Sequence, residues 1–594
     1  MDIGTTRNLP ELLVTESNFE EFFQNNAVFV DKTGIISELI NDPRRLFFLS
    51  RPRRFGKTLL LDTIKNIFEG KRHLFKNLDI GKGEFNHVWE PFPVIQLSFN
   101  GYGNGPAALK KSLLYELNEI AIAHKLPIEK ITEISDIRII ISHLSRQHIT
   151  DRSDAGFTQR EGAPKNVVFL VDEYDFPLLS CIGHEKAILE IRHLLHEFYS
   201  TVKQCSSMLR FALITGITKF KQISLFSGMN NILDISMRKE YSSICGFTED
   251  EIIRFFGVHL EATLATLQEN KFLPANATVK TLVSKLMEWY DGYSWDGKHN
   301  VLNPFSIMNF FWNQYFSYYW YESGSPLFTS LLSLKNDTYF KIFSKSFNIG
   351  DTLPLSDVNN IEDEAALFQA GYLTINSIDM SGGTLRYSLK IPNKEISYAI
   401  VQEFVTKQGM LSKPSENINS KYGEFVDAFD DCNENKCSFL FSSCLAEIIS
   451  YLHVHVELVP QVMMNTLLNI KGQRARMEVN LGNGRVDLLY ESPKGHAIAI
   501  EIKHEKARRR ITEERTLELL DKCVFRAFRQ AEKKKYSLLL FGTAKKIYVA
   551  AVGVYGSSDA KISFKQKVLV NWKLRDADPA VAAGRSENTS HDRS

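Results

Sequence analysis

Four short apolar runs punctuate the first third of the chain: Leu46–Leu49, Val94–Leu97, Val167–Val171 and Phe211–Ile214, each ending in a polar residue or a turn. Stretches with helical spacing, such as Leu59–Glu69 and Ala108–Ala123, lie between them. Compact apolar runs alternating with amphipathic helices predict an α/β fold, a mostly parallel sheet with helices on both faces. In such sheets ligands bind at the carboxyl ends of the strands. The polar stretch Asp151–Asn166 reads as a loop inserted before the third strand. From Glu249 to Asn348 the pattern turns helical and rich in aromatics. Over Ala365–Asn393 a helix, a turn at Gly371 and two short strands (Leu373–Ile378 and Thr384–Leu389) read as a helix plus wing or a small capping hairpin. Lys413–Ser420 reads as a linker, and a second α/β unit follows from about Phe425 to Tyr555. The tail Arg575–Ser594 is polar and aperiodic, which predicts disorder. The expected domains are therefore 1–248, 249–411 and 421–560, with a disordered tail at 575–594.

Composition sharpens this only in places. The chain has 594 residues, 44% hydrophobic and 24% charged, an average balance for a globular protein of several domains. The net charge of +1 names no partner, but its distribution is uneven. Between Arg44 and Lys57 stand six basic residues and no acidic one; between Glu501 and Lys535, twelve basic residues face seven acidic ones. Such clusters are either anion sites or solvated helix faces. The seven cysteines are irregularly spaced, with no Cys-x-x-Cys, so neither a disulfide framework nor a zinc knuckle is indicated. The N-terminal stretch is polar and no run of 18 apolar residues occurs, so a cytoplasmic protein with no membrane partner is expected.

The second half of the basic cluster carries a motif. Leu46–Leu49 leads into Ser50-Arg51-Pro52-Arg53-Arg54-Phe55-Gly56-Lys57-Thr58 and then a helical stretch. Strand, loop, Gly-Lys-Thr and helix is the context of a phosphate-binding loop, although Arg51 stands at the first glycine position. Arg53, Arg54, Gly56, Lys57 and Thr58 are therefore candidate nucleotide-binding residues, with Lys57 reaching the β/γ-phosphates and Thr58 ligating Mg²⁺. The apolar run at Val167 ends in Asp172-Glu173. Asp172 would complete the Mg²⁺ shell and Glu173 would polarise the attacking water. Thr215, closing the run at Phe211, is a candidate γ-phosphate sensor or simply a turn former.

A second constellation lies near the C-terminus. Arg474–Leu481 and Arg485–Tyr490 read as strands joined by a tight turn at Gly482-Asn483-Gly484, and His496–Lys503 as a third, mostly apolar strand. Residues two apart on a strand share a face, so Glu501 and Lys503 project together, with Asp487 on the paired strand. Two carboxylates can hold a divalent metal and a lysine beside them can orient a water at a phosphodiester; otherwise these are charges at a strand end.

Asp487…Glu501-Ile502-Lys503 resembles the D…(D/E)-x-K signature of the PD-(D/E)XK nuclease superfamily. That resemblance implies a restriction-endonuclease-like αβββαβ core. The N-terminal part resembles the AAA-ATPase-like family that accompanies this nuclease domain in prokaryotic two-module proteins. The match rests on Phe29–Thr33, the Arg51–Thr58 loop, Asp172–Asp175, Phe226–Asn231, Tyr290–Tyr293, Asn303–Ser306 and Ile391–Glu395. In the nuclease half, Glu478…Gly484-Arg485-Val486-Asp487 resembles an acidic-then-Gly-Arg-x-Asp run, which implies Glu478 as a further metal ligand. The family's glutamine-bearing helix corresponds to Gln530…Lys535-Tyr536, implying a catalytic Gln530; here the chain after Lys503 is longer than the usual pattern and contains the basic run Lys506–Arg510. Glu447 is either one more ligand or a polar helix residue. The resemblance implies an ATP-binding protein, an ATPase, coupled to a Mg²⁺-dependent phosphodiesterase acting on DNA. The alternative is a nucleotide-dependent switch or nucleic-acid-binding protein whose nuclease fold does not cut.

Overall fold

The computed structural model describes residues 9–82, 89–102, 105–146, 167–219, 232–270, 272–322, 347–349, 363–380, 385–397, 399, 421–452, 458–469, 475–477, 480–481, 484–506, 512–534, 546–556, 558–570 and 573–576. Several expectations therefore fall outside the described residues: the loop at 151–166, Phe226–Asn231, the linker at 413–420, Glu478, Gly482 and Asn483, Arg508–Arg510, and Lys535 with Tyr536. Two compact units emerge, one drawn from Met1–Leu260, Val283–Leu334 and Lys345–Ile396, the other from Glu261–Leu282, Lys335–Ser344 and Ser397–Ser594. The first unit spans residues on both sides of the predicted 248/249 boundary.

The first unit is built on a five-stranded sheet of β1 (Leu46–Ser50), β2 (Val94–Ser98), β3 (Val167–Asp172), β4 (Leu209–Gly216) and β5 (Leu233–Asp234). The order is β2-β3-β4-β1-β5 and every pairing is parallel, as the alternating pattern predicts. The strands are short and apolar because both faces are covered. Along β3, Val167, Phe169 and Val171 join the core that contains Leu109, Leu113 and Leu117 of helix Pro106–Ala123 and Ile188, Leu195 and Phe198 of helix Glu185–Gln204. The intervening positions face the other way, where Phe211 of β4 meets Phe47 of β1 at 5.6 Å and Phe68 of helix Lys57–Phe68 at 5.5 Å. This strand order has a physical consequence. The chain leaves β1 in one direction and returns through β3 and β4 in the other, so right-handed crossovers put helices on opposite faces. A crevice results at the carboxyl ends of β1, β3 and β4.

The remainder of the first unit is helical, with a small sheet. Helix Glu249–Phe255 starts with a reciprocal capping box between Thr248 and Glu251, and Glu251 also pairs with Lys32 at 2.6 Å. Helix Pro304–Asn313 starts with Asn303 accepting from the Ser306 N–H and Pro304 in its first turn, a preorganised beginning. Strands β6 (Phe347–Ile349), β7 (Thr374–Asp379) and β8 (Arg386–Lys390) form an antiparallel sheet in the order β6-β8-β7. The predicted two-stranded hairpin is therefore two strands of a three-stranded sheet. Gly292, at φ +103°, cannot be replaced, because a Cβ would stand 2.2 Å from the Pro392 carbonyl oxygen.

The second unit carries a mixed sheet of β9 (Ala475–Met477), β12 (Leu488–Glu491), β13 (His496–Glu505), β14 (Lys546–Tyr555), β15 (Asp559–Val570) and β16 (Lys573–Asp576), while β10 (Asn480–Leu481) and β11 (Gly484–Arg485) form a separate antiparallel pair. The order is β16-β15-β14-β13-β12-β9; only β13 and β14 run parallel, linked through helix Glu513–Lys534. That helix buries Leu519, Leu520, Cys523, Val524, Ala527, Phe528 and Ala531, a stripe at helical spacing, and its Val524, Ala527, Phe528 and Ala531 pack with Ala499 of β13 and with Val549 and Ala551 of β14. β16 takes in Arg575 and Asp576, so the start of the predicted disordered tail is a paired strand instead. Alternating charge, Lys573-Leu574-Arg575-Asp576, hides an edge strand from a reading based on apolar runs.

Candidate functional site

The crevice in the first unit assembles most of the predicted nucleotide residues. β1 ends at Ser50 and the chain turns through residues 51–56 into helix Lys57–Phe68. Arg54 at φ +65° and Gly56 at φ +86° make the turn. Gly56 adopts this left-handed region freely, whereas Arg54 does so only if its surroundings hold it there. Left-handed residues interspersed in a loop aim successive N–H groups toward one side, the geometry of an anion-binding nest. Among the described residues nothing accepts from the backbone N–H groups of Arg53 through Thr58. The helix dipole adds partial positive charge at the same place.

Arg51, standing where a glycine is usual, is a strut under the loop. It is 1% exposed; its guanidinium donates to the Ser50 carbonyl at 2.8 Å, the Ser236 carbonyl at 2.7 Å and the Tyr241 carbonyl at 3.0 Å, and lies 4.1 Å from the Trp295 ring centroid. Burial lowers it to about 10, so it stays charged at neutral pH. Phe55 packs edge-on against Tyr293 and Trp295, with centroids 4.8 and 5.4 Å away. The Arg54 guanidinium is drawn aside over Phe305 at 4.7 Å, and the Arg53 carbonyl accepts from the Trp320 indole N–H at 3.2 Å. The loop is thus braced from outside while its N–H groups remain open.

The chemistry-bearing side chains converge on Asp172. Lys57 Nζ donates to the carbonyls of Arg51 at 3.0 Å and Pro52 at 2.9 Å, where an incoming phosphate would offer it an anionic acceptor. Exposed Thr58 donates to Asp172 Oδ2 at 2.6 Å, and fully buried Thr215 donates to Asp172 Oδ1 at 2.6 Å. Thr215 therefore orients Asp172 from beneath, whereas a γ-phosphate sensor would have to reach the open side. Glu173 sits at φ +49° with its N–H on Asp172 Oδ1, and burial raises its carboxyl against the pull of Lys57. A hydroxyl and a carboxylate oxygen in contact, both hard oxygen donors, suit Mg²⁺.

Asp175 has a role that no spacing rule revealed. Fully buried, its Oδ2 accepts from the Ile217 N–H at 3.0 Å and from the N–H and hydroxyl of Thr218, both at 2.6 Å. It ties the turn after β3 to the turn after β4. A Cβ at Gly216 would stand 2.7 Å from Asp175 Oδ1 and 2.6 Å from the Tyr174 ring, so only glycine fits between them.

In the second unit the carboxylate–lysine constellation also comes together. The β12/β13 register pairs Leu488 with Ile500, which brings Asp487 up to β13, and its Oδ2 accepts from the Ile502 N–H at 2.7 Å. Glu501 is completely buried; Oε2 accepts from Gln530 Nε2 at 2.7 Å and lies 3.7 Å from Lys503 Nζ, and Oε1 accepts from Lys534 Nζ at 3.1 Å. Burial first, then the charge of Asp487, raises Glu501 to about 7 despite both lysines. Gln530 is thus in register with the strand. Lys534 went unread in the sequence; its spacing of four from Gln530, one helical turn, was the available signal. Among the described residues no group of three or more His, Cys, Asp or Glu side chains is placed to hold a metal. The third implied carboxylate, Glu478, lies outside them.

Residues 14–226 match the model of a family described as predicted AAA-ATPase, which takes in the whole crevice from the loop to Thr218. The chain is also 32% identical over 402 residues to a protein of Azotobacter chroococcum mcd 1 described as an uncharacterized protein in the vnfD 5′ region; the alignment covers 67% of this chain and 70% of that one. No solved structure matches. The family match ends at residue 226, so the nuclease resemblance of the C-terminal half rests on its own residues.

Proposed function

Given that the chain belongs to the AAA-ATPase-like family, we propose that its first unit binds ATP with Mg²⁺ and hydrolyses it, and that its second unit is a metal-dependent phosphodiesterase acting on DNA. One observation carries the ATP reading: among the described residues no well-aligned acceptor meets the backbone N–H groups of Arg53 to Thr58, at a helix start where Lys57, Thr58 and Asp172 come together. Backbone donors and Lys57 bind the phosphates, and Thr58 with Asp172 would hold Mg²⁺, which supplies charge neutralisation when bound. Glu173, raised by burial toward a working base, orients the attacking water. Thr215 and Asp175 keep these groups in register.

The phosphodiesterase reading is supported by the meeting of Asp487, Glu501, Lys503 and Gln530. Asp487 and Glu501 would hold a divalent ion that polarises the phosphodiester, Gln530 orients Glu501, and Lys503 positions the water. A second reading, nucleic-acid binding without cutting, is favoured by Lys534, whose ammonium already occupies Glu501. One experiment separates these activities. With the purified chain, Mg²⁺ and ATP, phosphate release and cleavage of linear, circular and single-stranded DNA are followed together. Glu173→Gln should abolish phosphate release alone, and Glu501→Ala should abolish cleavage alone. DNA bound but not cleaved by the parent chain would establish the second reading for the C-terminal unit; parental phosphate release by Glu173→Gln would remove Glu173 from the ATP site.

A further inference from the structure

Two of the resemblance segments, at 303–306 and 391–395, meet at one buried carboxylate. Glu395 is 0% exposed. Its Oε2 accepts from the Ser306 hydroxyl at 2.8 Å, and its Oε1 accepts from the Trp320 backbone N–H at 2.8 Å. Each of these partners leads directly to the phosphate loop. The Trp320 indole N–H donates to the Arg53 carbonyl, and Phe305, next to Ser306, carries the Arg54 guanidinium on its ring. A single carboxylate therefore seats the two props that grip consecutive loop residues.

We propose that Trp320, seated by Glu395, is a positioning residue for the phosphates of the nucleotide. The inference rests on the ATP reading of the crevice. Across a trans peptide the carbonyl and the following N–H point in opposite directions. Holding the Arg53 carbonyl outward aims the Arg54 N–H to the opposite side, and Arg54 is the residue whose left-handed backbone has to be held. With its guanidinium stacked on Phe305, Arg54 contributes its main chain to the nest and its side chain to the brace. The loop is then shaped before ligand arrives, and its ordering cost is not charged against binding.

Trp320→Phe removes the indole donor and keeps a ring against Tyr372, which Trp320 meets at a centroid distance of 5.3 Å. Loss of one such anchor is expected to raise the KM for ATP about fivefold, with kcat changed less than about twofold and the melting temperature unaltered. Glu395→Gln is expected to keep parental KM, since its amide oxygen can accept from Trp320 N–H while its NH₂ donates to the Ser306 hydroxyl; Glu395→Ala removes both seats and should raise KM at least as far as Trp320→Phe. The readouts are steady-state phosphate release and binding of a non-hydrolysable ATP analogue by the full chain. If the parent binds the analogue and Trp320→Phe binds and hydrolyses equally well, the positioning role is overturned and the ATP site stands. A Trp320→Phe chain with parental KM but a lowered melting temperature also overturns it, leaving a packing role. If the parent binds no analogue, the ATP reading falls and this inference with it.

Discussion

The crevice of the first unit and the carboxylate cluster of the second solve opposite problems. Around the phosphate loop the bracing is external: Arg51, Phe55 and Arg54 are held by Ser236, Tyr241, Trp295 and Phe305, and the N–H groups facing the crevice are left open. Around Glu501 the bracing is internal: Gln530, Lys503 and Lys534 all attend one buried carboxylate, and Asp487 is occupied by a backbone N–H. The first arrangement is ready for an anion. The second is a buried carboxylate already attended by two ammonium groups, with which any metal would have to compete. A family motif alone does not distinguish a site that waits open from one that must be opened, whereas the hydrogen-bond partners do.

Removing the internal cation sharpens this contrast most. With Lys534→Ala the competing ammonium is gone, and Mn²⁺ affinity measured by titration calorimetry is expected to rise about tenfold, on the order of 1.4 kcal/mol. Lower affinity in that variant would mean that Lys534 helps to build the metal site, and the two regions would then differ less than their geometry implies.

A smaller effect concerns pH. The ordinary value for Glu501 is 4.5, and burial with Asp487 nearby raises it to about 7. The folded protein then holds this proton more tightly than the unfolded chain. The associated stability is fully present below pH 4.5 and is lost as pH rises to about 7. Glu501→Gln, neutral throughout, should melt ~2–5 °C above the parent at pH 8 and within ~1 °C of it at pH 5, measured in EDTA by calorimetry. Equal melting temperatures at pH 8 would show that Gln530 and the lysines stabilise the charged carboxylate fully, against the picture of a cluster maintained at a cost in stability.

The parts of the molecule that were legible in the sequence are those whose signal is local. β1, β3 and β4 announce themselves as apolar runs because both faces are buried, and Gly56-Lys57-Thr58 announces a loop because glycine, lysine and hydroxyl each have a fixed task there. Glu501 and Lys503 were readable from the period of a strand. What stayed hidden depends on partners far along the chain that leave no residue-type trace. Arg51 is held by the backbone carbonyls of Ser236 and Tyr241, and any residue supplies a carbonyl. Trp320 and Arg53 meet across 267 positions. Lys534 sits in a basic run where nothing distinguishes it from Lys533, until the helix turns it toward Glu501 and leaves Lys533 exposed. Thr215 was found by its place at a strand end, but its burial, which fixes its task, came only from the fold.

Binding of ATP depends on the loop from Arg51 to Thr58 acting as a braced, open phosphate site. The most direct test is a calorimetric titration of the full chain with ATP and Mg²⁺, alongside Lys57→Ala. The open N–H groups and Lys57 predict saturable binding of one ATP per chain. Lys57→Ala should show no measurable binding while keeping the parental melting temperature, because among the described residues its ammonium bonds only to loop carbonyls that water can satisfy. Binding of ATP by Lys57→Ala as tight as that of the parent, or no binding by the parent itself, would contradict the account.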